Sequence, residues 1–279
     1  MSGRVDHLDV DALAALVPDG ASVVSPSDAN GAPLAATRAL LRGTVRNLML
    51  IGGPTSGLQA DLLIGDGRVS LIETAAVTLN EFGQAPRFRD AAQSGTLAIK
   101  DSTCPAIHAA LQAAEKGLPF IPLRGLIGSD LLAARPEWVV IDNPFAAGER
   151  DPIVLLPAIT PDIALIHADR ADREGNVWIG ARREAMTMAH AARRTLVTVE
   201  TIVDDNLMDD PAMAPGTIPA LYVEAVAACP GGAWPLGFAD RYGPDAAHMR
   251  DYARRARSAQ RFRDYLDQTL DLKPPLAAE

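Results

Sequence analysis

The chain has only two cysteines, Cys104 and Cys229, in 279 residues. Two isolated cysteines give no disulfide framework and no zinc-ligand spacing. A reducing compartment is their simplest setting. No uninterrupted apolar run approaches the roughly 20 residues that a membrane span needs, and the opening MSGRVDHLDV lacks the apolar core of a signal peptide. A soluble, cytoplasmic protein is therefore expected. Positive charge is also short, with 26 Lys and Arg against 35 Asp and Glu for a net charge of -9. The field of such a chain opposes nucleic acid and anionic membranes, so neither is expected as a partner. An anionic metabolite is not excluded, because a local pocket of arginines or helix N-termini can hold one. Aromatic residues make up only 5% of the chain, and alanine is abundant, which favours helices packed closely on a sheet. There is no Ser/His/Asp arrangement, no HExxH and no kinase-type phosphate site.

What is present is alternation. Apolar runs at Ala21–Val24, Asn47–Ile51, Val69–Ile72, Phe120–Leu123, Trp138–Ile141, Ile153–Leu155, Ile163–His167 and Leu196–Val199 read as strands. They are continuous rather than alternating, as strands buried on both faces are. Helical patterns lie between them at Val10–Leu16, Leu34–Leu41, Gln59–Ile64, Asp90–Gln93, Ile107–Lys116 and Glu184–Arg193. Leu221–Val226 fits either state, and Ala246–Leu270 reads as one long amphipathic helix. Strands alternating with helices predict an α/β fold, a largely parallel sheet covered by helices. With no repeat and no low-complexity linker, the simplest parse is a single domain over residues 1–273 with a flexible tip at 274–279. Ligands of open α/β sheets bind beyond the carboxyl ends of the strands. That rule brings together three loops: Ser25–Gly31, Gly52–Gly57 and His167–Asn176.

Each loop has a chemical and a plain reading. Gly52-Gly53-Pro54-Thr55-Ser56-Gly57 follows a strand and opens a helix, where glycines admit a ligand to the backbone and the helix end favours an anion. It is neither GxGxxG nor a P-loop. Leu126-Ile127-Gly128-Ser129-Asp130 is similar, but Ser129 or Asp130 also makes an ordinary N-cap for Leu131–Ala134. His167 could act as a base or donate to a substrate carbonyl, or simply donate to a backbone carbonyl at a strand end. Glu174-Gly175-Asn176 makes a turn, and Glu174 there reads as solvated. Arg87, Arg89 and Arg124 could meet carboxylate or phosphate as bidentate donors, or be salt-bridged surface residues.

Several segments together resemble the A (α) subunit of family I CoA-transferases, most closely the glutaconate CoA-transferase type. They are IGGPTSGLQADLLIGDGRVSLIE, NEFGQAPRFRDAAQSGTL, AAEKGLPFIPLRGLIGSD, VVIDNPFAAGE, PAITPDIALIHADRADREGNVWIG, TLVTVETIVDD and AVAACPGGAWP. In order, they cover roughly Asn47 to Pro235. The resemblance implies the family's α/β fold and places His167, Ala171, Gly175 and Asn176 at the marked positions of its strand–histidine–turn signature. It implies a substrate- and CoA-binding set of Gly52, Gly53, Gly57, Gly128, Ser129, His167 and Asn176. It also implies no catalytic glutamate in this chain, because that residue belongs to a partner B (β) subunit. No metal and no permanently bound cofactor is implied, and the substrates are an acyl-CoA and a carboxylate. An α2β2 heterotetramer follows. One departure is Ser25-Pro26-Ser27-Asp28, which stands where family members often carry a glycine-rich strand end. Pro26 also removes an N–H donor. Related two-subunit proteins hydrolyse cyclic acyl-CoA esters with a glutamate from the A-type chain. Glu73 and Glu81 are the candidates for that role here, with Asp101 behind them. A non-catalytic acyl-CoA-binding protein is the third reading.

Overall fold

The computed structural model describes residues 5–53, 55–148, 150–272 and 274. The expected tip at 274–279 lies outside the described residues apart from Pro274. In chain order the first part comprises β1 (Asp6–Leu8), α1 (Val10–Ala15), β2 (Ser22–Ser25), α2 (Leu34–Arg42), β3 (Leu48–Gly52), α3 (Leu58–Gly65), β4 (Val69–Thr74), α4 (Pro86–Ser94), β5 (Ala98–Asp101) and α5 (Cys104–Glu115). A middle part follows with β6 (Phe120–Leu123), α6 (Leu131–Ala134), β7 (Val139–Asp142) and β8 (Pro152–Pro157). The last part holds β9 (Ile163–Asp172), β10 (Val177–Trp178), α7 (Arg183–Ala191), β11 (Arg194–Val203), β12 (Thr217–Ile218), β13 (Ala225–Ala228), α8 (Ala246–Arg255) and α9 (Ala259–Thr269).

The main sheet runs β1-β13-β11-β9-β2-β3-β4-β5, with every neighbouring pair on that path parallel. Strand β10 folds back antiparallel on β9 and carries β12. The strands β6-β8-β7 form a separate antiparallel sheet. The apolar strands feed two cores by simple alternation. Val23, Leu50, Ile163, Leu165 and Leu196 enter one core, while Val24, Ile51, Ala164, Ile166 and Val197 enter the other. Successive strand side chains point to opposite faces, so a strand covered on both faces must be apolar throughout. Helices α1, α2, α3, α8 and α9 cover the first face, and α5 and α7 the second.

Three expectations need correction. The strand read as ending at His167 continues to Asp172, so His167 is an interior strand residue. The charged stretch after it stays extended because β11 pairs with it along its whole length, from Arg194↔Ile163 to Val203↔Asp172. The tail is two helices, not one: Ser258 takes an extended backbone, φ -123 and ψ 131, which ends the first and opens the second. The two still act as one cover, with Tyr252 and Tyr265 in edge contact at 5.0 Å between ring centres. The short strands β1, β5, β10 and β12 carry no apolar run long enough to mark them in the sequence, and every residue of β5 is exposed.

Candidate active site

The sheet order reverses at β2. Strands β3 to β5 lie on one side of it, and β9, β11 and β13 on the other. Such a switch point opens a crevice beyond the strand ends. The loop after β2 spans it. Both carboxylate oxygens of Asp28 accept the Leu58 N–H, at 3.2 and 3.0 Å, so the N-terminus of α3 is capped from another loop. Gly57 makes this possible, since a Cβ there would stand 2.1 Å from Asp28 Oδ2. At its far end the same loop offers the Gly31 carbonyl to the His167 N–H at 3.0 Å. Gly31 has φ +96, and a Cβ on it would come within 2.4 Å of the His167 carbonyl oxygen. The loops of Asp28 and Gly57 therefore meet each other and the backbone of His167 within β9, whereas the stretch expected as a His167–Asn176 loop is itself strand as far as Asp172. Gly52 lies at the end of β3, where a Cβ would strike Ser56 Oγ at 2.3 Å, and Gly53 faces Met188 Cε at 2.9 Å.

His167 is buried, and both its ring nitrogens are engaged. Nδ1 lies 2.9 Å from Thr198 Oγ1 and Nε2 lies 2.8 Å from Glu200 Oε1. Glu200 also accepts the Tyr242 hydroxyl at 2.7 Å and the Gly231 N–H at 2.8 Å. Burial lowers the His167 pKa against the pull of Glu200. Burial pushes Glu200 up, but hydrogen bonds from His167, Gly231 and Tyr242 outweigh it and hold the carboxyl below its ordinary value. The consistent assignment is a neutral imidazole donating from Nε2 to the ionised Glu200 and accepting from Thr198 at Nδ1. Phe238 closes the ring's side, edge-on at 4.7 Å.

Beside this network is a cavity of about 370 Å³, walled by Asp28, Asn80, Glu81, Phe238, Ala239 and Tyr242 among others. Asn80 and Ala239 both have left-handed backbones, φ 53 and φ 47. Non-glycine residues are held there only when the surroundings dictate it, often beside functional sites. Burial pushes the Asp28 carboxyl up to about 6; the Leu58 N–H pulls it down, and Asp61 and Glu81 push it further up. The cavity thus has a buried acid that gains or loses its proton near neutrality, an exposed glutamate and a tyrosine hydroxyl on its walls.

Residues 8–228 match the family model described as Coenzyme A transferase. The chain belongs to the coenzyme A transferase family. It is 33% identical to the A chain of the 3-oxoadipate CoA-transferase of Pseudomonas knackmussii, over 92% of this chain and 90% of that protein. It is 32% identical to the corresponding A chain of the glutaconate CoA-transferase of Acidaminococcus fermentans, over 82% and 76%. A cholesterol ring-cleaving hydrolase IpdA subunit of Rhodococcus jostii is 29% identical over 84% and 81%. Among solved structures, glutaconate coenzyme A-transferase from Acidaminococcus fermentans superposes with a TM-score of 0.87 at 29% identity, covering 96% of this chain and 90% of that chain. The decarboxylase AibA/AibB gives 0.83 at 28% identity, covering 95% and 99%.

In this coenzyme A transferase chain the remaining sequence-derived candidates fall in different places. Asn176 is buried in the turn after β9. Its Nδ2 donates to Asp172 at 2.8 Å and its Oδ1 accepts the Ala220 N–H at 2.8 Å, so its amide holds the turn together. Asp172 also accepts the N–H groups of Glu174, Asn176 and Leu207. Gly128 and Ser129 lie in the turn between β6 and α6, beside the separate apolar cluster of Leu126, Trp138, Val154 and Leu156. Ser129 Oγ donates to the Leu126 carbonyl at 2.8 Å, and α6 has no side-chain cap, so neither Ser129 nor Asp130 plays the capping part. Glu73 is buried in β4 and accepts Arg135 Nη2 at 2.6 Å. Glu81 is exposed on the cavity wall. Sequence reasoning missed Asp28, Thr198, Glu200 and Tyr242. For Glu200 a signal existed: a lone acid closing the apolar run LVTVE must be paired if that run is a buried strand.

Proposed function

We propose that this chain is the A (α) half of a heteromeric CoA-transferase and that a B (β) partner supplies the nucleophilic glutamate. The observation that carries the reading is the state of the buried glutamates around the switch point. Glu200 is committed to three donors and Glu73 to Arg135. A carboxylate spent in this way is a poor nucleophile, and an attacking carboxylate from a second chain resolves the difficulty. The names of two relatives, each the A half of a CoA-transferase, support the same arrangement, and an α2β2 assembly is the form we expect.

In this scheme the partner's glutamate attacks the acyl-CoA carbonyl and the C–S bond breaks, giving a mixed anhydride and CoA thiolate. The thiolate then attacks the glutamyl carbonyl, releasing the first carboxylic acid and leaving a glutamyl-CoA thioester. The acceptor carboxylate reverses both steps. Covalent catalysis of this kind divides one hard exchange into easier ones. Backbone N–H groups facing the cavity would stabilise each oxyanion. No cofactor beyond the CoA of the substrate is required. The His167–Glu200–Tyr242 network holds the floor of the crevice in place and exchanges no proton with substrate.

The test is mass spectrometry of the co-purified complex after incubation with an acyl-CoA. The expected result is a second chain at one-to-one stoichiometry that carries a glutamyl-CoA adduct. An adduct on this chain, or turnover by this chain alone, overturns the reading. A second reading, hydrolysis, has one specific observation behind it: Glu81 stands on the cavity wall near Asp28. On that reading Glu81→Gln abolishes water-dependent release of CoA or ring-opened product. On the transferase reading it leaves adduct formation on the partner intact.

A further inference from the structure

A second cavity, of about 450 Å³, lies where α4 meets the paired helices α8 and α9. It is lined by three arginines, Arg87, Arg89 and Arg257, with Asp90 as the single opposing carboxylate. Such a concentration of positive charge is unexpected on a chain of net charge -9. Nothing in the reaction proposed above uses it.

Arg87 is not a loose surface residue, as the salt-bridged surface alternative would have it. It is 7% exposed and its guanidinium lies 5.8 Å from the centre of the Phe262 ring. Its Nη1 pairs with Asp90 at 3.2 Å, while its Nε is buried with no hydrogen-bond partner. A buried donor left unmade carries a cost that a bound acceptor would remove. The scaffold makes room for this side chain. A Cβ on Gly65, at the end of α3, would stand 2.6 Å from both Arg87 Cγ and the Phe262 ring. The first turn of α4 is also fixed, because Asp61 accepts the Phe88 N–H at 2.7 Å and is itself held by the Tyr252 hydroxyl at 2.6 Å. Arg89 and Arg257 are exposed, and neither is ion-paired among the described residues. Arg89 makes only a long contact to Gln84 at 3.4 Å.

We propose that the Arg87–Arg89–Arg257 cavity is a binding site for a phosphate-bearing ligand, with the buried Arg87 guanidinium and the two exposed guanidiniums of Arg89 and Arg257 closing on one or two phosphate groups. Guanidinium forks match phosphate geometry. The volume exceeds what one phosphate fills and falls in the range of small-molecule sites, so the ligand has a body larger than the anion. Two sources share this chemistry: the phosphates of CoA itself, and a separate phosphorylated metabolite. The inference does not rest on the transfer reaction, since binding is read without turnover.

The experiment is isothermal titration calorimetry of the full chain with pyrophosphate. Binding is expected, and removing a charge-assisted guanidinium contact weakens it roughly tenfold. Arg89→Ala and Arg257→Ala, both at exposed positions where folding is not at stake, should each show that loss. Arg263→Ala, on the exposed face of α9 outside the cavity, should show none. Absence of pyrophosphate binding, or an equal loss in all three variants, overturns the proposal. CoA displacing pyrophosphate would support the site as one for CoA phosphates. Pyrophosphate binding that CoA does not displace would support it as a site for a separate phosphorylated ligand.

Discussion

Asp28 is a residue whose chemistry depends on two neighbours that give it no charge. Gly57 leaves space for its carboxylate, and the Leu58 N–H holds it. Replacing Gly57 with alanine puts a Cβ into that carboxylate and should cost about 1–3 kcal/mol by overpacking, read as a lower urea midpoint. The Asp28 proton gives a second prediction. Its folded pKa of about 6 lies above the ordinary 3.8, so the folded state holds the proton more tightly. The stability that this provides is fully present below pH 4 and is lost as pH rises through 6. Two units correspond to about 3 kcal/mol. Asp28→Asn cannot titrate, so the stability of wild type relative to this variant should fall between pH 4 and pH 7. A difference that is flat or rises with pH would show that burial does not set this carboxyl. At this scale the sequence was least informative. His167 and Gly57 stand out in a motif, but Asp28 and Tyr242 matter through contacts 30 and 42 positions away along the chain. Nothing local marks such pairs.

Elements were far more legible, because apolar runs and helical spacing record burial directly. The strands β2, β3, β4, β6, β7 and β8 fall within a few residues of their apolar runs. The failures have a common cause in tertiary partners. Strands β9 and β11 outrun their apolar cores because each stabilises the other's polar half, and the tail helix breaks where Ser258 turns it back on the same core. Asp61 shows how one residue ties elements together. It sits on α3, accepts from Phe88 at the start of α4 and is bonded by Tyr252 on α8. Asp61→Ala leaves a half-buried N–H and a buried hydroxyl without partners and should cost about 2–4 kcal/mol. Asp61→Asn keeps one acceptor and should cost clearly less. Equal losses, measured by chemical denaturation, would mean that the packing of α3 rather than this bonding joins the three helices.

For the whole molecule, residues 8–228 carry the family match, and the shared order of modest motifs along the chain is what makes the family legible in the sequence. The antiparallel sheet carries exposed apolar residues, with Phe120 at 48%, Val139 at 52% and Val140 at 46%, and no helix among the described residues is long and apolar enough to cross a membrane. Native mass spectrometry of the chain from its own host should show a distinct partner of similar mass, and a homo-oligomer without one would count against the heteromeric reading. The sheet order has one more consequence, in time rather than in space. Strand β2 must finally pair with β9 through Val23↔Ile163 and Val24↔Ala164, and Ser22 with Asp162, 140 positions further on. On a ribosome adding roughly 5–20 residues per second, the free edge of β2 waits on the order of ten seconds for its neighbour to be made. An unpaired strand edge invites any extended chain that passes. For the nascent chain, the seam that later frames the crevice is first a vulnerable flank, and a pause in translation before Ile163 would prolong that exposure.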